Sequence, residues 1–104
     1  MASDYTYADI AKMIDHSLLN PTLTIPELEL GCELAKQYDV ASVCIMPFYV
    51  RRCTEILSGS SVVPSTTIGF PHGGHDTVVK LIEVEQLWAG TEIEQAIKGP
   101  GATP

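Results

Sequence analysis

A chain of 104 residues is long enough for one domain at most, and a hydrophobic content of 45% allows it to bury a core. Thirteen acidic residues against six basic ones give a net charge of −7. This charge argues against nucleic acid or an anionic membrane surface as a partner, because such binding requires clustered Lys and Arg. No apolar run approaches the ~20 residues of a membrane span, so no membrane partner is expected.

The first forty residues predict two helices. Apolar residues between Tyr7 and His16 recur at helical spacing, and Asn20-Pro21 would stop a helix from continuing. Thr24 is a good N-cap and is followed by a proline in the first helical turn. A second helix is therefore expected from Thr24 to about Tyr38.

Strands and helices alternate in the rest of the chain. Val40 to Met46 is apolar on both faces, which is typical of a strand in a parallel sheet covered by helices. A helix from Pro47 to about Leu57, a strand from Val62 to Phe70 and a helix from Asp76 to about Ala89 follow. This alternation predicts parallel βαβ units with right-handed crossovers. Two strands are few for a sheet, so the chain is expected to form the opening of a larger α/β domain.

The segment from Ser65 to Asp76 is the strongest indication of function in the chain. A strand runs directly into a loop of glycine, proline and histidine, and a helix opens at the acidic N-cap candidate Asp76. In α/β proteins, a loop of this kind at the carboxyl end of a strand is where small ligands bind. The pattern therefore favours a small-molecule enzyme.

Two histidines and three cysteines are the candidate metal ligands of the chain. His72 and His75 have the spacing of a metal pair, but neither a cysteine nor a carboxylate pair completes a set, so no metal is expected. Loop hydrogen bonds are the more ordinary role for both. Three cysteines without close paired spacing are typical of reduced thiols in a cytoplasmic protein.

Three segments together resemble one enzyme family. They are IAKMIDHSLLNPTLT (Ile10 to Thr24), ASVCIMPFYV (Ala41 to Val50) and TTIGFPHGGHDT (Thr66 to Thr77). In this order and spacing they are similar to the N-terminal part of the bacterial 2-deoxyribose-5-phosphate aldolases. The resemblance covers roughly residues 7–90, about the first third of a full-length member.

The resemblance implies a fold and a reaction. The fold would be α/β, a (β/α)8 TIM barrel, of which this chain would supply the N-terminal helices and about the first two βα units. The reaction would be the reversible aldol cleavage of 2-deoxy-D-ribose 5-phosphate to glyceraldehyde 3-phosphate and acetaldehyde through a lysine Schiff base, without a cofactor. The partners would be the phosphorylated sugar and aldehyde substrates. Exposed strand edges would favour self-association into a homo-oligomer.

Four site residues follow from the resemblance alone. Asp15 would be the acidic residue at the end of the first strand, in contact with the lysine network. Ser17 and Cys44 would line the aldehyde pocket. Phe70, on the loop after a strand, would form one wall of the site. Without the resemblance, Asp15 is typical of a cap or a solvated charge, Cys44 of a packed thiol, and Phe70 of a core anchor.

The chain also departs from the family pattern. Its four lysines, Lys12, Lys36, Lys80 and Lys98, lie at positions expected to face solvent, and none matches the Schiff-base motif. Residues 91–104, TEIEQAIKGPGATP, replace the strand that would carry a catalytic aspartate. We therefore expect residues 1–90 to be the aldolase-like part and 91–104 a divergent tail, as in a fragment or a reading frame interrupted near Leu87-Trp88. Such a chain would be inactive alone, and the alternative is a non-catalytic structural or binding piece.

Overall fold

Capping residues set the beginnings of three helices in the computed structural model, which describes residues 4–88. Thr6 caps the first helix through the backbone N–H of Asp9, at 3.2 Å. Thr24 accepts from the backbone N–H of Glu27 at 3.3 Å, and the Asp76 carboxylate accepts from that of Val78 at 3.0 Å. The sequence predicted both of these last two caps.

Four helices, three strands and one 3₁₀ turn make up the described chain. Their order is α1 (Tyr7–Ala11), β1 (Asp15–Leu18), α2 (Ile25–Tyr38), β2 (Ser42–Ile45), the 3₁₀ turn (Pro47–Tyr49), α3 (Val50–Leu57), β3 (Val63–Thr66) and α4 (Thr77–Trp88). The strands form one parallel sheet in the order β1-β2-β3. The alternating parallel architecture is confirmed, but there are three βα units rather than about two.

The predicted helix from Tyr7 to His16 is wrong in its second half. Helix α1 ends at Ala11, and Asp15 begins strand β1. The Ile14 carbonyl accepts from the backbone N–H groups of Ala41 and Ser42, at 3.0 and 3.4 Å, just before β1 and β2 pair. This pairing with a distant segment overrides the local helical spacing, which carries no information about partners far along the chain.

The other elements lie inside their predicted bounds. Helix α2 agrees with the prediction, whereas both predicted strands are longer than the paired residues of β2 and β3. The helix expected from Pro47 begins instead with one 3₁₀ turn. The predicted end of α4 at Ala89, the boundary at residues 90 and 91, and the tail 91–104 lie outside the described residues.

The core fills the space between the sheet and helices α2 and α3. Alternate residues of β2 point toward these helices, and Val43 and Ile45 are fully buried there. The rest of this core comes mostly from the helices: Leu28, Cys32, Ala35, Val50, Cys53 and Leu57. All three cysteines of the chain are free thiols, as predicted.

A polar cluster ties the elements together at the amino ends of the strands. The Lys12 ammonium donates to Asp39 Oδ1 at 2.9 Å, to the Val40 carbonyl at 3.0 Å and to Ser61 Oγ at 2.9 Å. The Ser61 hydroxyl donates to the same Asp39 oxygen. Lys12 remains 40% exposed, in line with its predicted solvent-facing position. The cluster joins the end of α1, the end of α2 and the segment before β3.

Asp39→Asn tests this cluster through the pH dependence of stability. The hydrogen bonds from Ser61 and Lys12 hold the pKa of Asp39 below its ordinary value. The ionised carboxylate therefore stabilises the fold above the unfolded-state pKa of about 3.9, and this contribution is lost as the pH falls through the folded-state pKa. Asparagine tolerates the left-handed backbone of residue 39, with its φ of 52°.

We expect Asp39→Asn to melt below the wild type near neutral pH, with the gap closing as the pH falls below about 4. Thermal unfolding followed by circular dichroism across this range measures the gap. Glu85→Gln, on the exposed side of α4, is the control. A gap that stays constant down to the lowest pH would contradict the role given to the ionised Asp39.

Candidate active site

The parallel register gathers small polar side chains on the face of the sheet opposite the core. Asp15 lies beside Ser42, and Ser17, Cys44 and Ser65 follow one another across the three strands. Because alternate residues of a strand share a face, all five side chains lie on one side. We call this surface the polar face. Neither α2 nor α3 covers it, because both pack on the other side.

The carboxylate of Asp15 is the centre of the polar face. Its Oδ1 accepts a hydrogen bond from Ser42 Oγ at 2.6 Å and lies 3.5 Å from Ser65 Oγ. Ser65 Oγ lies 3.2 Å from the Val43 carbonyl, so it also bonds the backbone of the central strand. The carboxylate is exposed but held by a neighbouring hydroxyl. A carboxylate fixed in this way is able to accept and return a proton from a ligand above the sheet.

The other predicted residues divide into two groups. Ser17 is exposed beside Asp15, and Cys44 is only 8% exposed on the central strand, so the structure brings these two onto the same face as Asp15. Asp15 itself lies at the start of β1 rather than at its end. Phe70 is separate, because it lies on the loop after β3 and is 39% exposed.

Helix α4 holds the loop that carries Phe70. The backbone N–H of Gly69 donates to Glu83 Oε1 at 2.8 Å, and the Lys80 ammonium donates to the Gly73 carbonyl at 3.1 Å. Gly69 has a φ of 66°, and a Cβ there would lie 3.1 Å from Lys80 Cδ. The glycine therefore allows both the turn and the close approach of Lys80.

Sequence reasoning missed three polar residues of this region. Ser42 and Ser65 bond Asp15, and Thr67 continues the alternation of β3 one residue beyond its end. The hydroxyl oxygen of Thr67 is buried without a hydrogen-bond partner among residues 4–88. A sequence signal for these residues was present, because Ser42 alternates with Cys44, and Ser65 with Thr67, as side chains on one face of a strand do. The many apolar residues in both strands made this alternation hard to recognise.

His72 and His75 lie exposed on the same loop as Phe70. Within the described part of the chain, no group of three His, Cys, Asp or Glu side chains is placed to hold a metal ion. None of the helices between residues 4 and 88 is long and apolar enough to cross a membrane.

Three consecutive parallel βα units, with helices on one face and a row of polar side chains on the other, are the arrangement that part of a TIM barrel has. The chain is 60% identical over 84 residues to a deoxyribose-phosphate aldolase of Rhodopirellula baltica, a match that covers 81% of the chain and 35% of that relative. The chain is therefore similar to the N-terminal portion of the deoxyribose-phosphate aldolases. No family model matches the chain.

Two further comparisons also match the chain to deoxyribose-phosphate aldolases. A deoxyribose-phosphate aldolase of Trichormus variabilis is 47% identical over 83 residues, which make up 80% of the chain and 37% of that relative. The structure of a deoxyribose phosphate aldolase from Aeropyrum pernix, described as tetrameric, superposes with a TM-score of 0.72 at 27% identity. That superposition covers 79% of this chain and 35% of the other. The chain thus spans about a third of the length of the relatives it matches.

Proposed function

We propose that this chain supplies the first three βα units of a deoxyribose-phosphate aldolase. The reaction is the reversible cleavage of 2-deoxy-D-ribose 5-phosphate to glyceraldehyde 3-phosphate and acetaldehyde. The observation that carries the proposal is the 60% identity to a curated aldolase over 81% of the chain. The polar face supports it, because the Asp15 carboxylate lies on the side of the sheet away from the helices, which is the inner side of a TIM barrel.

The proposed mechanism needs a lysine from another part of the barrel. An amine attacks the aldehyde carbonyl and loses water to form an imine, which then withdraws electrons from the neighbouring carbon. The lysines that the structure describes are engaged elsewhere. Lys12 binds Asp39 at the amino ends of the strands, Lys36 donates to the Ile56 carbonyl at 3.2 Å, and Lys80 holds the Gly73 carbonyl. Lys98 lies outside the described residues and does not match the family motif.

Each predicted site residue has a role in this proposal. Asp15 contacts the lysine network and exchanges protons with it, while the aspartate of the strand that the family carries after residue 90 moves protons at the carbon next to the imine. Ser17 and Cys44 line the aldehyde pocket, and Phe70 closes it from the loop after β3. The reaction uses no cofactor, because the imine itself supplies the electron sink.

Borohydride trapping tests the absence of the reactive amine from this chain. At low acetaldehyde concentration, borohydride is expected to leave every lysine of the chain unmodified. A matched protein joins residues 1–88 of this chain to the part of the Rhodopirellula baltica relative that follows its matched segment; we call it the completed barrel. It should acquire one stable adduct and cleave deoxyribose 5-phosphate. Mass spectrometry detects the adduct, or its absence, in each of the two proteins. A single dominant adduct on the chain alone would contradict the proposal.

The second candidate is a non-catalytic structural or binding piece. Large apolar side chains that remain exposed favour it, most of all along α4, where Val78, Val79, Leu81 and Ile82 are all more than half exposed. We also propose that the complete protein is a cytoplasmic homo-oligomer. The tetramer described for the Aeropyrum pernix relative and the three free thiols support this assignment.

A further inference from the structure

The segment from Gly69 to Gly73 forms a closed turn after β3. The backbone N–H of Gly73 donates to the Gly69 carbonyl at 2.6 Å, so the two ends of the segment lie together. Both glycines have left-handed backbones, with φ values of 66° and 65°, which most other residues adopt only with strain. Phe70, Pro71 and His72 lie between these ends, and all three are exposed. The turn therefore presents three side chains to solvent on a backbone with little conformational freedom.

Two charged side chains of α4 hold this turn, one at each end. Lys80 and Glu83 are three residues apart, so they share one face of the helix. The Glu83 carboxylate accepts from the backbone N–H of Gly69 at 2.8 Å, and the Lys80 ammonium donates to the Gly73 carbonyl at 3.1 Å. Hydrogen bonds to ionised groups are stronger than neutral ones. Both side chains are half-buried, which reduces the competition from water.

The fixed turn does not serve to pack the ring of Phe70. Within residues 4–88, Phe70 is not part of the buried core and remains 39% exposed. Its backbone is held from both sides, yet its ring is free to contact a molecule that approaches from solvent. Loops that follow parallel strands form the small-molecule sites of TIM barrels. The position of the turn and its fixation therefore both point to a ligand as the partner of this ring.

We propose that Glu83 and Lys80 are positioning residues that fix Phe70 as a preformed wall of the substrate site. A wall that is ordered in the free protein spares the substrate the entropic cost of ordering it. The inference rests on the proposed function for the substrate, 2-deoxy-D-ribose 5-phosphate, and for the place of Phe70 beside it. Such a wall contacts the bound substrate and the transition state alike, so its loss should raise KM and leave kcat unchanged.

Four variants separate the two contacts from the rest of the helix. Glu83→Ala removes the acceptor of the Gly69 N–H, whereas Glu83→Gln keeps an oxygen that can accept the same hydrogen bond. Lys80→Met removes the ammonium but keeps an unbranched apolar stem beside Gly69. Glu85→Ala is the matched control, because it truncates an exposed carboxylate on the same helix.

Amide hydrogen exchange of this chain, followed by NMR, measures the hold on the turn without any substrate. Glu83→Ala should speed exchange of the Gly69 N–H about tenfold or more, because the group loses its acceptor. Glu83→Gln and Glu85→Ala should each leave the rate within about threefold of the parent. Unchanged exchange in Glu83→Ala would overturn the inference, because the carboxylate would then not hold the turn.

Steady-state kinetics of the completed barrel measure the effect on the substrate. Glu83→Ala and Lys80→Met should each raise KM for 2-deoxy-D-ribose 5-phosphate about fivefold or more and leave kcat within about twofold. Glu83→Gln and Glu85→Ala should leave both constants within about twofold. A merely structural role would instead lower the melting temperature of Glu83→Ala without a change in KM, and this result would overturn the inference.

The outcomes distinguish the inference from the proposed function. A parent completed barrel that does not cleave 2-deoxy-D-ribose 5-phosphate refutes the function, and the role of the turn toward that substrate with it. A parent that cleaves the sugar phosphate, with a KM that Glu83→Ala leaves unchanged, refutes the positioning role alone. A fall in kcat as large as the rise in KM would also refute it, because Glu83 would then act in the chemical step.

Discussion

In the completed barrel, Asp15→Asn is expected to lower kcat about 10²- to 10⁴-fold, the range typical of a lost acid-base group. Asparagine keeps the shape of the side chain and an oxygen that accepts the hydrogen bond from Ser42, at 2.6 Å in the parent chain. It removes the ability to take up and return a proton. The loss should therefore appear in turnover rather than in folding, and steady-state kinetics together with circular dichroism measure the two separately.

Two control variants test whether the loss of turnover is specific to the Asp15 carboxylate. Asp9→Asn changes an exposed carboxylate that caps α1 and is not part of the polar face, and should leave kcat within about twofold. Ser42→Ala removes the hydroxyl that holds Asp15 but not the carboxylate, and should cause a smaller loss than Asp15→Asn. Near-wild-type turnover of Asp15→Asn would exclude proton transfer by this carboxylate and return Asp15 to the role of a solvated charge.

Leu28→Ala is expected to lower the free energy of unfolding by about 3 kcal/mol, within the range for leucine truncations in a packed core. Leu28 is fully buried between α2 and the sheet, where it packs with Val43, Ile45 and residues of α3. Its truncation removes apolar contacts and leaves a cavity that the surrounding side chains fill only in part. Urea unfolding followed by far-UV circular dichroism measures the change.

Leu30→Ala is the matched control for Leu28→Ala. It makes the same substitution two residues further along the same helix, at a side chain that is 72% exposed. A change below about 0.5 kcal/mol is expected there. Similar losses at both positions would show that helix propensity, rather than the core under α2, determines the stability of this segment.

Local signals in the sequence were sufficient for helices α2, α3 and α4 and for two of the strands. The caps at Thr24 and Asp76 depend on residues a few positions away, and both lie where predicted. Strand β1 has only four residues, of which Asp15, His16 and Ser17 are polar, and it follows directly on a helical pattern. Its formation depends on pairing with β2, which lies 27 positions further along the chain in the register of Asp15 with Ser42.

The resemblance named residues that lie together in the structure, while their role in a site stays a prediction. The resemblance pointed to Asp15, Ser17 and Cys44, and the register places these three on one face. Ser42 and Ser65 were missed because their relation to Asp15 depends on strand register, which no local pattern in β2 or β3 specifies. The role of Phe70 also depends on what lies opposite its loop, so it stays a prediction.

The cluster of Lys12, Asp39 and Ser61 lies at the opposite end of the strands from the loops that carry Phe48 and Phe70. The cluster therefore stabilises the ends of α1 and α2 without any contribution from those loops. A library that randomises the loops after β2 and β3 would therefore leave this cluster intact. Libraries of that kind should retain more folded members than libraries that vary the turn at Asp39.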